Sequence, residues 1–522
     1  MRNTDQMLTL EDYTLHLHPD DQVAIVKHDL SPGMELTLSD GGGLVVREHI
    51  PAGHKMALCD IPSGKGVSRY GYFIGQATAF IPAGSWVHTH NLAFGGAPGH
   101  DAGSGEYAVG VVDPIQPIPS GKSFLGFKRP DGRAGTRNHI AIISTVSCSA
   151  HVASQIARAF PPERLAAYEN VDGVIPIVHH SGCSIPPGGL SHTYLKRVLY
   201  NLAHHPNIGA AVYVGLGCEV NQVSDCQPVD LSSGTYQVAP YGVVVQEQGG
   251  FSKTVEAGIG VVEALLPRVN AIRRTPQPLS ELVVALQCGG SDGWSGITAN
   301  PLIGRVVDAL VLEGSTAALA ETPEVFGAEH LLTRRVTSPE VAARLISHFK
   351  WWSEEARQRG FSMDNNPTPG NKKGGLTTIY EKSLGAVAKA GSTPLNGVYE
   401  YGEAIDRRGL VFMDTPGNDP ISITGLLAGG CSLILFSTGL GSVFGSAITP
   451  CIKIASHSDL YGRMPDDMDF NAGQILEGAS WEDASQKLIE LVVSVASGQR
   501  TKSETHGLSE HEFVPWQPDA FL

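Results

Sequence analysis

Acids, thiols, imidazoles and lysines gather in this chain where short apolar runs stop. Seven β-branched runs end abruptly in a glycine-rich polar turn, and four of those turns carry a cysteine. The four are HIAIISTVSCS (Cys148), GVIPIVHHSGC (His179, Cys183), GAAVYVGLGCE (Cys218, Glu219) and ELVVALQCGGSD (Cys288, Asp292). The other three are STAALAETPE (Glu321, Glu324), GLVFMDTPGND (Asp414, Asp419) and SLILFSTGLGS (Thr438, Gly439). Thiolate, imidazole and carboxylate are metal donors, and His179 also suits proton transfer. Further candidates lie outside these runs. His54, His88 and His90 sit in turn-like settings, and an HxH pair on a strand would place both rings on one face. SDGWSGITANP groups Ser291, Asp292 and Asn300 around glycines before a helix headed by Pro301, whose free N–H groups could hold a carboxylate. NPTPGNKKGGLTTIYEKSLG carries Asn371, Lys372, Lys373, Glu381 and Lys382 in a segment too polar and glycine-rich for core.

Continuous apolar runs of this length predict parallel strands buried on both faces, and ligands in such sheets bind beyond the carboxyl ends of the strands. From about residue 124 these runs alternate with helical spacing at 193–205, 301–314 and 484–499, which predicts βαβ units and a mostly parallel sheet. Residues 1–92 read as a small all-β unit, with short runs separated by SPGM, IPAG and IPSG turns. Residues 93–123 read as a Gly/Pro/Ser linker. The expected division is a catalytic α/β domain over 124–395 and a C-terminal α/β domain over 396–522, where strand–turn patterning restarts.

A formal charge of −15 with no basic stripe argues against nucleic acid as a partner. Neither a signal-type start nor a membrane-length apolar segment is present in the sequence. Eight cysteines without CxxC pairs suit a reducing cytoplasm. Cys59, Cys226, Cys431 and Cys451 are expected to be small core hydrophobes. An iron–sulfur cluster on the other four is the lesser expectation, because clusters commonly take two ligands from one tight loop. No G-x-G-x-x-G opens a helix after a strand, which disfavours a nicotinamide dehydrogenase.

Taken in order, GFKRPDGRAGTRN, TVSC, HHSGC, GLGCE, QCGGSDGWSGITANP, ETPEVFGAE, NPTPGNKKGGLTTIYEKSLG, MDTPGNDP and DMDFNAG resemble the altronate/galactarate dehydratase family of sugar-acid hydro-lyases. The block from HPDDQVAIVKHDLSPG to WVHTHN is similar to that family's SAF-type β-clip domain, so the resemblance spans nearly the whole chain. It implies dehydration of an aldonic or aldaric acid to a 2-keto-3-deoxy acid, assisted by a divalent metal, usually ferrous iron. One departure is visible: the family's threonine-glycine-arginine-glycine turn reads STGLGS here, with Leu440 in place of arginine. That points from a diacid such as galactarate towards a monoacid such as altronate, as does the WVHTHN ending of the first domain.

Eliminating water from a 2,3-dihydroxy acid requires removal of the proton next to the carboxylate, stabilisation of an enediolate, and a proton or Lewis acid for the departing hydroxyl. The expected metal donors are His54, His88, His90, Glu219, Glu321 and Glu324. The expected catalytic group is His179 or Lys382 as base, with Glu381 beside it and Lys389 as a further candidate. Arg129, Arg133, Arg137, Lys372 and Lys373 are the expected carboxylate binders. Cys183, Ser291, Asp292, Asn300, Asn371 and Asp419 are expected to line the substrate site. The partner is then a small sugar acid, in a protein expected to form a homo-oligomer. Two rivals are a carbon–sulfur lyase acting on a sulfonated 2-hydroxy acid and a non-catalytic sugar-acid-binding protein.

Overall fold

The computed structural model describes residues 8–38, 41–95, 107–226, 241–509 and 512–519. The chain forms an N-terminal all-β domain followed by two α/β units, each built on a parallel sheet. In the first domain Thr14–Leu15, Val23–Val26, Lys55–Ala57 and Trp86–Val87 make an antiparallel sheet in that order. Its strands are short because a Pro/Gly turn interrupts every apolar run. The strand that carries Lys55 is fully buried, lysine included.

The second unit holds strands β1 His139–Ser144, β2 Gly173–Ile177, β3 Ile208–Gly215 and β4 Tyr241–Val244, in the spatial order β2-β1-β3-β4 and all parallel. Every residue of β1 and β3 is buried, as continuous apolar runs covered on both faces require. Helices α1 Ala150–Arg158 and α3 Phe251–Asn270 pack together on one face, and α2 Leu190–Ala203 serves the other. At Gly258 of α3 an added Cβ would lie 2.3 Å from Ile156 Cδ1, so the two helices approach closely only because that residue is glycine.

The third unit is a seven-stranded parallel sheet of β5 Val283–Cys288, β6 Thr316–Leu319, β7 Leu395–Tyr399, β8 Gly409–Met413, β9 Leu433–Thr438, β10 Cys451–Ala455 and β11 Phe470–Asn471. Their spatial order is β7-β8-β6-β5-β9-β10-β11. The chain leaves β5 towards β6 on one side and later returns to β9 on the other. The sheet therefore has a switch point at β5, where ligand crevices open. Helices α4 Ala299–Leu312, α5 Pro339–Gln358, α6 Ile379–Val387, α7 Asp419–Ala428 and α8 Trp481–Ala496 cover it. Ser338, Thr378, Asn418 and Ser480 cap α5 to α8 by accepting an N–H from the first turn.

The helices expected at 193–205, 301–314 and 484–499 are α2, α4 and α8. The expected division at 396 needs correction, because β7 begins at Leu395 and lies beside β8 in the sheet that β5 and β6 start. The two sheets separate between 270 and 283 instead. Restarted strand–turn patterning marks a new strand, and that strand joins an older sheet. Part of the expected linker, 96–106, lies outside the described residues. Its remainder is not free: Val111 bridges Val336, Ile118 N–H donates to Leu312 O, and Ser123–Lys128 pairs with Arg274–Pro278.

First and third domains share one core, in which Ile74 and Leu92 belong to the same apolar cluster as Val325 and Leu384. A buried ion cluster fastens them. Lys55 Nζ donates to Glu381 at 2.8 Å and to Gly375 O at 2.7 Å, while Arg69 donates to Glu381 and to Gly293 O. All three side chains are fully buried. Burial alone would raise the Glu381 carboxyl, but Lys55 and Arg69 outweigh it and hold it down to about 2.

Candidate active site

Beyond the carboxyl ends of β5 and β6 the third unit assembles three acids, a thiol and two lysines. Cys288 ends β5, and Glu321 and Glu324 follow β6. One ligand atom from each of these three lies within 4.8 Å of the other two, and all are buried. Lys382 Nζ donates to Glu324 Oε1 at 2.7 Å and to Asn366 Oδ1 at 2.9 Å, and Asn366 donates to the same Glu324 oxygen at 2.7 Å. Lys389 Nζ stands 2.6 Å from Cys288 Sγ. Asp419, first residue of α7, accepts from Gln287 Nε2 at 2.7 Å.

Local backbone explains the convergence. Glu321 holds a left-handed conformation at φ +66, uncommon for a residue with a side chain, in the turn that carries Glu324. Thr415 after β8 locks that turn, its Oγ1 accepting Glu321 N–H and its carbonyl accepting Thr322 N–H. Thr322 and Trp352 both donate to Asp414 Oδ1, with His348 on the other oxygen at 3.4 Å. Next to the acids lies a cavity of about 390 Å³, lined in part by Trp351, Trp352, Trp516, Pro323, Asn366 and Gly417.

The electrostatics are those of crowded acids. Burial, with Glu324 and Asp419 alongside, pushes Glu321 well above the usual carboxylate range. Burial, only partly offset by Gln287, pushes Asp419 up to about 6. Burial would also raise Glu324, but Lys382 outweighs it and holds the carboxyl below its ordinary value. Glu324 in turn overcomes the effect of burial on Lys382 and keeps that ammonium charged. Burial pushes the Cys288 thiol up to about 11, against the pull of Lys389. The Glu321 side chain makes no hydrogen bond among the described residues. A divalent cation held by Cys288, Glu321 and Glu324 would offset the burial that keeps Glu321 and the thiol protonated and let both ionise. Carboxylate and thiolate together suit ferrous iron or a similar ion.

A second rim of polar groups closes on this site. Asp292 is buried, accepts from Ser295 and Ser456, and lies 3.5 Å from His457. Burial raises its carboxyl, with His457 opposing. At Gly439 an added Cβ would come within 2.0 Å of the Asp292 carboxyl carbon, so only glycine permits the loop after β9 to close over it. Asn371 donates to Ser291 O, holding the 369–375 segment against the loop after β5. The buried Ser291 hydroxyl has no partner. Lys372 and Lys373 make no ion pair among the described residues. Leu440 sits at this junction, its methyls 3.6 and 3.1 Å from where Gly370 and Gly374 would carry a Cβ.

Other expected residues lie elsewhere, and the partners they have explain why. The six expected metal donors divide among three places. Glu321 and Glu324 meet. Glu219 instead braces its own turn in the second unit, accepting from Thr145 Oγ1, Leu216 N and Gly217 N. His54 is in the first domain, and both its nitrogens are taken, one by Trp86 Nε1 and one by Lys373 O. The HxH pair falls on a turn and not a strand, so His88 is buried against Trp86 while His90 is exposed. His179 is buried in the second unit, donating to Ser144 O and accepting Ser181 N–H, which leaves no lone pair for a substrate proton. Cys183 is exposed on that unit. Glu381 belongs to the interdomain ion cluster, and Asn300 spans Gly385 O and Ser437. The three arginines precede β1, at the opposite end of the sheet from the polar loops. Arg129 spends its donors on Pro206 O, Asn138 and Arg137 O. Arg137 pairs with Glu504 and three carbonyls, and Arg133 pairs with Asp131 and His204 O. Among the core cysteines, Cys59 is exposed and the other three are buried.

Sequence reasoning missed Gln287, Asn366, and the His348 and Trp352 that meet Asp414. Gln287 carried a signal, since it is polar in the last turn of a buried run. Asn366 carried none.

Three family models match the chain: an altronate/galactarate dehydratase SAF domain over residues 12–94, a D-galactarate dehydratase/altronate hydrolase second domain over 126–270, and a D-galactarate/altronate dehydratase C-terminal domain over 279–520. The chain is 36% identical to an altronate dehydratase of Escherichia coli strain K12, over 95% of this chain and 97% of that one. It is 37% identical to the galactarate dehydratase (L-threo-forming) of the same strain, over 95% of each. It is 29% identical to a (2R)-sulfolactate sulfo-lyase subunit beta of Chromohalobacter salexigens, over 76% of this chain and 97% of that one. No helix among the described residues is long and apolar enough to cross a membrane. With a SAF domain in front of two matching α/β units, the chain belongs to the altronate/galactarate dehydratase family of hydro-lyases.

Proposed function

We propose that this protein removes water from a sugar acid of the altronate or galactarate class, giving a 2-keto-3-deoxy acid. The observation that carries this reading is the convergence of Cys288, Glu321, Glu324, Asp419, Lys382 and Lys389 at the switch point of the third sheet. A divalent ion held by Cys288, Glu321 and Glu324, ferrous iron before others, would supply the Lewis acidity that tames charge next to the substrate carboxylate. Asp419, with its carboxyl near 6, takes the proton from C2. Lys382, kept charged by Glu324, gives its proton to the hydroxyl leaving C3, so that water departs and the enol relaxes to the keto acid. Lys389 adds a second fixed positive charge, and Lys372 and Lys373 receive the substrate carboxylate at the rim. Leu440 at that rim favours a monoacid. Eight thiols with no disulfide among the described residues suit a reducing cytoplasm.

The test is anaerobic turnover with Fe²⁺ and thiol across D-altronate, galactarate, other aldonates and 3-sulfolactate, with keto acid and sulfite followed separately. Keto acid from a sugar acid is the expected result. The likeness to a sulfo-lyase subunit favours one second reading, and sulfite release from 3-sulfolactate would establish it in place of the first. Binding with no turnover across the whole panel would overturn both.

A further inference from the structure

The second α/β unit has strand-end chemistry of its own, which the reading above leaves unused. Three neighbouring parallel strands, β2, β1 and β3, each run into a loop that carries an exposed cysteine: Cys183, Cys148 and Cys218 in that spatial order. Each follows its strand by a few residues, so all three lie at one edge of one sheet. The loops are tied to one another. Ser147 N–H donates to Ser181 O at 2.8 Å, Ser149 Oγ to Val214 O at 2.6 Å, and Thr145 Oγ1 to Glu219 at 2.7 Å. Two of these bonds start at residues flanking Cys148, one ends two residues before Cys183, and one ends on the neighbour of Cys218. Gly182, before Cys183, is left-handed at φ +95, and a Cβ there would meet Thr145 O at 2.6 Å. The Cys183 loop therefore lies flat against the Cys148 loop. Gly217, before Cys218, is left-handed at φ +124.

Exposed thiols on loops tied together by this much hydrogen bonding are not needed for packing, and buried cysteines elsewhere in the chain fill that role. We propose that Cys148, Cys183 and Cys218 together ligate an iron–sulfur cluster, one thiolate from each loop, with one iron left open to another ligand. Spacing selects a cluster over a single ion. Sulfurs on one ion sit about 2.3 Å from it and so no more than about 4.6 Å apart. Among the described residues the only set of three such ligands within 4.8 Å of one another is Cys288, Glu321 and Glu324, so the three exposed sulfurs are spread more widely. Adjacent strands are about 4.8 Å apart, which sets the loops after β2 and β3 about 10 Å apart with Cys148 between them. A polynuclear cluster spans such a gap, with each thiol losing its proton on ligation. The ligands come one per strand, which is why the absence of a CxxC pair does not count against it. This assignment is independent of the acid–lysine site in the third unit.

The experiment uses the full chain, purified anaerobically and incubated with an equimolar mixture of ferrous and ferric iron and with sulfide, then freed of excess. Iron and acid-labile sulfide per chain, visible charge-transfer absorption and the electron paramagnetic resonance signal after reduction are the readouts. Expected are sulfide-dependent absorption, its loss in each of Cys148→Ser, Cys183→Ser and Cys218→Ser, and its retention in Cys59→Ser. A second measurement guards against a misfolded variant: in the unmutated chain, the cluster should shield these three thiols, and not Cys59, from alkylation by iodoacetamide. Sulfide-free iron uptake that the triple serine variant loses, absorption persisting in that triple variant, or equal alkylation of all four exposed cysteines would each overturn the proposal.

Discussion

The two parallel sheets place polar residues at the same end, yet they surround them differently. In the third unit the donors are buried, opposite in charge and shared among several partners. In the second unit the three strand-end cysteines Cys148, Cys183 and Cys218 are exposed, while Glu219, next to Cys218, is spent on its own turn. A common architecture thus supplies a place for chemistry, and burial decides which chemistry is stored there. Crowded buried acids move away from their ordinary protonation and become proton-transfer groups or metal donors.

The sharpest way to break the contrast is to remove the lysine that balances the acids. Lys382→Met should lower kcat about a thousandfold while circular dichroism of the fold is unchanged, the scale of a lost general acid. The next largest effect concerns stability. Glu381→Gln would leave Lys55 and Arg69 buried without their counter-charge and should destabilise the chain by about 3–5 kcal/mol, read from chemical denaturation. The same carboxyl predicts a pH window. Its value is depressed from 4.5 to about 2, so its contribution is complete above 4.5 and is lost as pH falls from 4.5 towards 2.

Much of this was legible in the chain, within limits set by what a linear pattern records. All seven apolar runs are strands, six of them buried nearly throughout and the edge strand β2 only partly. Strand β10 was hidden by Lys453, a charge inside a fully buried strand, paired at its amide with Asp469 and reaching Phe444 O with its ammonium. Spatial order was not legible either: the apolar run at 409–413 announces β8 but not that it extends the sheet begun by β5, and β7 lay inside the segment read as a boundary. Glu321, Glu324, Asp419 and Lys382 could be named from strand ends and polar turns. The arginines in GFKRPDGRAGTRN could not be placed, since a guanidinium bound to backbone carbonyls and one awaiting a carboxylate look alike in sequence. The pairing of Cys288 with Lys389 joins residues about a hundred positions apart, and only the folded sheet brings them together.

Smaller effects sharpen the comparison. If Asp419 must be ionised to accept a proton, kcat should fall about tenfold per pH unit below about 6 and level off above it; a profile flat down to pH 5 would remove Asp419 as the base. Leu440→Arg would add a guanidinium at the mouth of the crevice. It should shift the kcat/KM ratio of galactarate to altronate upward by about tenfold, the value of one charge-assisted contact of about 1.4 kcal/mol.

The central claim is that the chemistry resides in the buried acids after β6. Glu321→Gln tests it most directly, since that side chain makes no hydrogen bond among the described residues and the change removes its capacity to ionise and ligate a cation while keeping its shape. Keto-acid formation from the preferred sugar acid, measured anaerobically with saturating Fe²⁺, should fall at least about a hundredfold with the melting temperature unchanged. Activity within a few-fold of the unmutated chain would contradict the account and move the reaction to another part of the molecule.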